Sequence, residues 1–313
     1  MKRALRRLIV TVVISSPASS LSTTADSSPG FTVAFGEEIS DRAINFTAVP
    51  GGAFRQFEVI SGPPGKYRAR LDDKALRPVG ERRWMWQAER QPGFHRLEVT
   101  SPTGGTMLLN LSVQRSIAEL RDGELNGYRI GEYPKTPLHG LPIYEPPDGF
   151  IEVHDADLDL PVSPRFVLGQ FLCKQPGGFP RYLVLQERLL LKLEYLLDRL
   201  NDAGRRVANF HVMSGYRTPE YNARIGNGHY SRHVWGGAAD IFIDEQPRDG
   251  LMDDLNADGQ VDHRDAIWLA DFIAALEQRP DYQPFVGGLS AYDANAAHGP
   301  FVHVDVRGWQ ARW

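Results

Sequence analysis

The hydrophobic pattern of this chain changes period along its length, and that change limits what it can fold into. Between about residues 31 and 113, short apolar runs at 31–35, 57–60, 95–99 and 107–113 are cut by glycine and proline. Side chains that alternate in this way face opposite sides of a strand, so 31–114 predicts a small all-β, antiparallel sandwich. Between residues 182 and 203, Leu189, Leu193, Leu196, Leu197 and Leu200 instead recur at helical spacing, with Gly204 placed to end the helix. A chain of 313 residues exceeds the usual single core. The prolines at 134, 137, 142, 146 and 147 make 115–148 an extended connection, which leaves 149–313 as a second domain.

Lys2, Arg3, Arg6 and Arg7 precede an apolar run from Leu8 to Ile14, and Ser16-Pro17-Ala18 supplies small residues for cleavage. Residues 1–30 thus read as a secretory signal or N-terminal anchor, and the protein as exported. The only cysteine, Cys173, allows no internal disulfide and reads as a small buried residue beside Phe171 and Leu172. A net charge of −4 gives no basic footprint for nucleic acid, and no apolar run of spanning length follows the leader.

Two segments of the second domain carry more than packing. In 239–244 and 301–307, apolar and ionisable residues alternate. As strands they bury Val302, Val304 and Val306 and present His303, Asp305 and Arg307 on the other face, while Asp240 is set apart from Ile241 and Ile243 in the same way. Asp240 and His303 can thus be aimed at one ion. His233, seven residues before Asp240, reaches back across Gly236, Gly237 and two alanines, a sequence that permits a tight turn. Two imidazoles and a carboxylate suit one zinc ion and leave a fourth position for water, as in catalytic sites. Residues 210–213 read as a buried strand with His211 in the interior, and Thr218-Pro219-Glu220 supplies a cap and first-turn proline for a helix.

The ordered set Ser214-Gly215-Tyr216-Arg217, Ser231-x-His233-x6-Asp240 and His303-x-Asp305 resembles the M15 family of zinc D-Ala-D-Ala peptidases and their murein endopeptidase relatives, over roughly residues 166–313. The resemblance implies an α+β domain shared with the hedgehog signalling module and a catalytic Zn2+ on His233, Asp240 and His303. It also implies a periplasmic or cell-envelope enzyme acting on the stem peptides of peptidoglycan, as an endo- or carboxypeptidase. Arg217 then contacts substrate, by gripping a carboxylate or stabilising an oxyanion. Zinc lowers the pKa of its water from ~15.7 toward ~7 and polarises the scissile carbonyl, yet a base must still take the proton and return it to the leaving amine.

Some members of that family place a glutamate three residues before the last histidine ligand, where this chain has Pro300. Others carry a histidine five residues before it, and His298 is assigned as general base and acid on that ground. Asp305 is the rival, with the alternative role of orienting an imidazole or Arg307. Tyr216 and Trp235 are assigned to aromatic packing. Because hedgehog-like domains need not hydrolyse peptides, a non-catalytic, zinc-dependent wall-binding or protein-binding module is the alternative; Arg217 and His298 beside the ligands favour the enzyme.

Between the zinc segments, residues 254–265 place oxygen ligands in register. Asp254, Asn256, Asp258, Asp262 and Asp265 fall at loop positions 1, 3, 5, 9 and 12, with Gly259 at 6 and Gln260 at 7. The loop resembles the EF-hand loop as used in dockerin modules, which implies a structural Ca2+ bracing the domain and a helix over 266–277. The acidic run 155–159 lacks the glycine and the spacing and is assigned no metal.

Overall fold

The computed structural model describes residues 28–313. The leader read at positions 2–18 lies outside the described residues, and among these no helix is long and apolar enough to cross a membrane.

Nine strands build the N-terminal part: β1 (Thr32–Phe35), β2 (Glu38–Ser40), β3 (Ile44–Pro50), β4 (Phe54–Ser61), β5 (Arg68–Leu71), β6 (Lys74–Ala75), β7 (Arg83–Gln87), β8 (Gly93–Thr100) and β9 (Thr106–Ser116). One sheet runs β2-β1-β4-β7, and the other contains β9-β8-β5-β6 with β3 on β9. Alternate residues of both sheets, among them Val33, Phe57 and Trp84 from one and Leu97, Leu109 and Leu111 from the other, form one apolar core. The antiparallel expectation fails at one place. β3 runs parallel to β9 from Ile44↔Leu108 to Pro50↔Gln114, which the long intervening chain permits because a parallel pair needs a crossover rather than a hairpin.

The stretch 115–148, expected as an extended connection, is packed. It carries the hairpin β10 (Glu124–Leu125) and β11 (Tyr128–Arg129). Its Leu125, Tyr128, Ile130, Tyr133 and Tyr144 share a core with Phe150, Tyr182, Val234 and Trp235. The aromatic rings among these residues bury enough apolar surface to dock the segment, something its prolines alone did not disclose.

The next strand, β12 (Gly149–Val153), pairs with β9 on one side and with β13 (Arg181–Leu183) on the other, so one sheet runs through both halves of the molecule. Helix α1 (Glu187–Asp202) starts later than the leucine spacing suggested, because Tyr182 and Leu183 are paired with Glu152 and Ile151. Then come β14 (His211–Ser214), the short helix α2 (Pro219–Arg224), β15 (Ala238–Phe242), α3 (His263–Leu276), β16 (Leu289–Tyr292) and β17 (Phe301–Asp305). As Thr218-Pro219 predicted, the Thr218 hydroxyl caps α2 by accepting from Tyr221 N.

β14-β15-β17-β16 form an antiparallel sheet in that order. The pairs Ala239↔Val304 and Ile241↔Val302 feed one face into the main core, which also holds Leu193, Leu196 and Leu197 of α1 and Leu269 and Ile273 of α3. Its other face carries Asp240 and His303. β14 lies at the sheet edge, so His211 is exposed and stacked on Phe242 at 4.4 Å rather than interior, a correction to the expected buried strand.

Candidate metal centre

Register alone brings two of the expected ligands together. Asp240 on β15 is directly opposite His303 on β17, and directly opposite residues of an antiparallel pair point to one face. Ser214 of β14 and Ser290 of β16 extend the same row on either side. His233 arrives from a single 3-10 turn, Arg232–Trp235, closed by Gly236 at φ +64°. A β-carbon at Gly236 would stand 2.1 Å from the Val184 carbonyl oxygen, so only glycine lets this turn lie against the chain below it.

The three side chains converge. His233 Nε2 stands 3.1 Å from Asp240 Oδ1 and 3.2 Å from His303 Nδ1, and His303 Nδ1 is 2.9 Å from Asp240 Oδ1. All three residues are buried. Among the described residues this is the one group of three or more His, Cys, Asp or Glu whose ligand atoms gather in this way.

The outward partners of the two imidazoles decide which nitrogens carry protons. His233 Nδ1 lies 2.6 Å from the Gly215 carbonyl oxygen, which can only accept, so the proton is on Nδ1 and Nε2 presents a lone pair. His303 Nε2–H donates to Asp305 Oδ2 at 3.2 Å, which leaves Nδ1 as the lone pair. Two lone pairs and a carboxylate oxygen therefore face one another, and a single proton could bridge only two of them. Adjacent ligands of a tetrahedral zinc, at ~2.0–2.1 Å from the ion, stand about 3.3 Å apart. The donor set fits a divalent cation in both chemistry and spacing.

The electrostatics agree. Burial would raise the Asp240 carboxyl, but His233, His303 and Arg217 outweigh it and hold it well below the usual carboxylate range. Burial lowers the affinity of His233 for a proton. Burial acts the same way on His303, yet Asp240 and Asp305 on its two nitrogens overcome it and raise the pKa. The site demands positive charge beside Asp240.

Residues 180–263 match the sequence model of the family described as Peptidase M15. The chain contains an M15 peptidase domain. The matched stretch includes His233 and Asp240 and stops before His303, which the sheet register supplies. No curated protein matches the chain in sequence.

Around His233, Asp240 and His303 lies a cleft of about 820 Å³, lined also by Arg217, His298, Tyr292, Arg307 and Trp313. Arg217 touches the centre through its own ligand. Its guanidinium donates from Nη2 to Asp240 Oδ2 and from Nε to Ser214 Oγ at 2.8 Å, which orients the carboxylate with Oδ1 toward the histidines. His298 donates from Nδ1 to the Gly299 carbonyl oxygen at 2.8 Å. Its Nε2 then accepts from the Asn295 amide at 2.7 Å, an amide turned that way because Asn295 Oδ1 accepts from Ala297 N.

Asp305 is placed differently from a base. It is fully buried behind His303, on the ring nitrogen remote from the other two ligands, and also accepts from Gly288 N at 2.8 Å and from Arg307. Burial alone would raise its pKa, but His303 and Arg307 drive it far below the ordinary range. Of the two expected roles, the geometry gives it the orienting one.

The oxygens of the 254–265 loop do not gather as those of the metal centre do. Asp254 accepts from Asp258 N and Gly259 N, and Asp258 from Gln260 N, while Arg264 pairs with both Asp258 and Asp262. Asn256 accepts from Asp258 N. Asp262 caps α3 through Arg264 N. The buried Asp265 accepts from Leu255 N, Asn256 N and Asp262 N. Helix α3 comes next, starting at His263.

Tyr216 and Trp235 pack as expected. Tyr216 is buried against the Tyr133 hydroxyl, and Trp235 Nε1 donates to the Glu145 carbonyl oxygen at 2.8 Å. Sequence reasoning missed the support from the 115–148 strap, the Asn295 partner of His298, and the cleft wall of Tyr292 and Trp313. Trp313 lies 5.2 Å, ring to ring, from His303. No local spacing signals such contacts, because Trp313 is brought in by the bridge between Ala311 and Gly288.

Proposed function

We propose that the protein is an exported zinc metallopeptidase that hydrolyses peptide bonds in the stem peptides of bacterial peptidoglycan. One observation carries the metal: donor atoms of His233, Asp240 and His303 face one another 2.9–3.2 Å apart. A bound zinc would supply Lewis acidity, acidifying a water and polarising a carbonyl. Asp240 and the two imidazoles would hold it, and Arg217, Asp305 and the Gly215 carbonyl would keep those ligands aimed and in the required protonation states. His298 presents Nε2 as an acceptor at the cleft wall, placed to take a proton once it leaves Asn295 and return it to the departing amine. The residual capacity of the Arg217 guanidinium faces the same cleft and suits a substrate carboxylate or a developing oxyanion.

The peptidoglycan substrate and the cell-envelope location rest on the M15 resemblance and on the leader. Calcium in the 254–265 loop is carried by the register of its ligands with Gly259, which adopts φ +86°. The deciding experiment is mass spectrometry of purified peptidoglycan digested by the zinc-loaded protein, with and without chelator. New peptide ends that vanish with chelator are expected, and their identity assigns the bond. Wall material left unchanged by metal-loaded protein would overturn the reading.

A further inference from the structure

The charge of this chain is unevenly placed. Between positions 66 and 83 it carries seven lysines and arginines against three acids, although the whole chain is at −4. Part of this excess lines a groove of about 710 Å³ in the N-terminal sandwich, far in sequence from the M15 domain, with Lys66, Arg68, Arg70 and Arg77 around the buried Tyr67 and Trp84. All four cations are exposed. Arg68 and Arg70 fall two apart on β5 and so share one face, with Ala69 turned to the core.

The acids nearby leave a net excess of positive charge. Glu98 and Asp73 also line the groove, and Glu98 is directly opposite Arg70 across β5 and β8. Arg70 further donates to the Asp73 carbonyl oxygen. Asp72 is engaged by His95 and Arg96 N, and Arg83 is paired with Glu58. Lys66, Arg68 and Arg77 have no ion pair or side-chain hydrogen bond among the described residues. A concave site with three unpaired cations, two of them guanidinium forks, favours carboxylates arrayed along an extended ligand.

The groove is held firmly to the M15 domain. β9 continues from the sandwich into pairing with β12, Glu187 of α1 accepts from Thr47 Oγ1 and Ala48 N, and Arg188 pairs with Glu38 at 2.8 Å. A polymer held in the groove is therefore kept on the same folded body as the cleft, at raised local concentration and with no flexible tether between the two. We propose that this groove is a binding site for a carboxylate-bearing polymer, namely the peptidoglycan whose peptides the cleft is proposed to cut. The polymer's identity rests on that functional reading; the groove's preference for carboxylates does not.

The test compares the full, zinc-loaded parent with Arg68→Glu/Arg77→Glu and with the charge-keeping Arg68→Lys/Arg77→Lys. Binding to purified peptidoglycan sacculi is measured by sedimentation across salt, alongside hydrolysis of a soluble muropeptide. Charge reversal is expected to weaken sacculus binding about tenfold or more at about 50 mM salt, and added salt to weaken the parent likewise. The lysine variant should bind as the parent does, polyglutamate should compete, and hydrolysis of the soluble muropeptide should be equal in all three proteins. A reversal variant that binds sacculi like the parent, parent binding indifferent to salt, or competition by polyphosphate but not polyglutamate would overturn the proposal. Parent that binds sacculi through the groove but cleaves nothing would sink the peptidase substrate and leave the groove; cleavage with binding unaffected by reversal would do the opposite.

Discussion

Replacing Asp305 by asparagine changes one atom, and the surrounding hydrogen bonds dictate how the new amide must sit. Oδ1 of Asp305 accepts from two fixed backbone donors, Gly288 N at 2.8 Å and Arg307 N at 3.0 Å, so the amide oxygen must stay there. The amide NH2 then takes the place of Oδ2 and faces His303 Nε2, which now has to accept. The imidazole proton moves to Nδ1, the atom that faces Asp240 and His233. Loss of an outer partner of a metal-binding histidine costs about 10–100-fold in metal affinity, or roughly 1.4–2.7 kcal/mol, and the inverted tautomer places the effect at the upper end of that range. Removing the charge beside Arg307 also lowers stability, so melting is followed in parallel. Zinc affinity by competition with a chromogenic chelator near neutral pH is the assay. A folded Asp305→Asn protein that holds zinc as tightly as the parent would refute the assignment of protons in this centre.

His298→Ala should keep zinc within a few-fold of the parent while lowering turnover about 10²–10⁴-fold, since only proton transfer is removed; full turnover would take His298 out of the mechanism. Lys192 of α1 is fully buried, its Nζ donating to the Asp305 carbonyl oxygen at 2.8 Å, and burial pulls its pKa from 10.5 to about 8 despite Asp305 and Glu277. At about 1.4 kcal/mol per tenfold change in proton affinity, that charge costs the native state roughly 3 kcal/mol, so Lys192→Met should raise stability by about 2 kcal/mol at neutral pH after the lost hydrogen bond. The sign is testable in the parent: between pH 8 and 10.5 the unfolded chain binds the extra proton, so stability should rise with pH in that window, a gain absent from the Met variant. For the 254–265 loop, added calcium at constant zinc should raise the melting temperature of the parent and leave Asp258→Ala unchanged; a parent indifferent to calcium would remove that ion.

Residue pattern alone marked out the elements that carry chemistry. Alternation in 301–307 separated Val302 and Val304 from His303 and Asp305, and both faces are where it put them. It also marked the cap at Thr218 and the glycine-bearing turn after His233, because these depend on neighbours within a few residues and on backbone angles that few side chains tolerate. Where local pattern misled, long-range pairing was the cause. Tyr182 fits the leucine helix by spacing but is taken by β12, and the prolines of 115–148 signal an extended chain without revealing that its tyrosines dock under the His233 turn.

What the sequence by itself determined is the inventory of the site: which residues can ligate, and that Asp240 and His303 each stand on a strand face away from the core. Tertiary structure decided how they are used. The pairing of β15 with β17 set Asp240 opposite His303, the Gly215 carbonyl and Asp305 selected the lone pairs that face inward, and Asp305 was turned from a candidate base into a buried partner of His303 and Arg307. The physical reason is range. Side-chain periodicity acts over a few residues, whereas the proton positions that make three donors into one cation site are set by carbonyls and carboxylates brought from elsewhere in the chain.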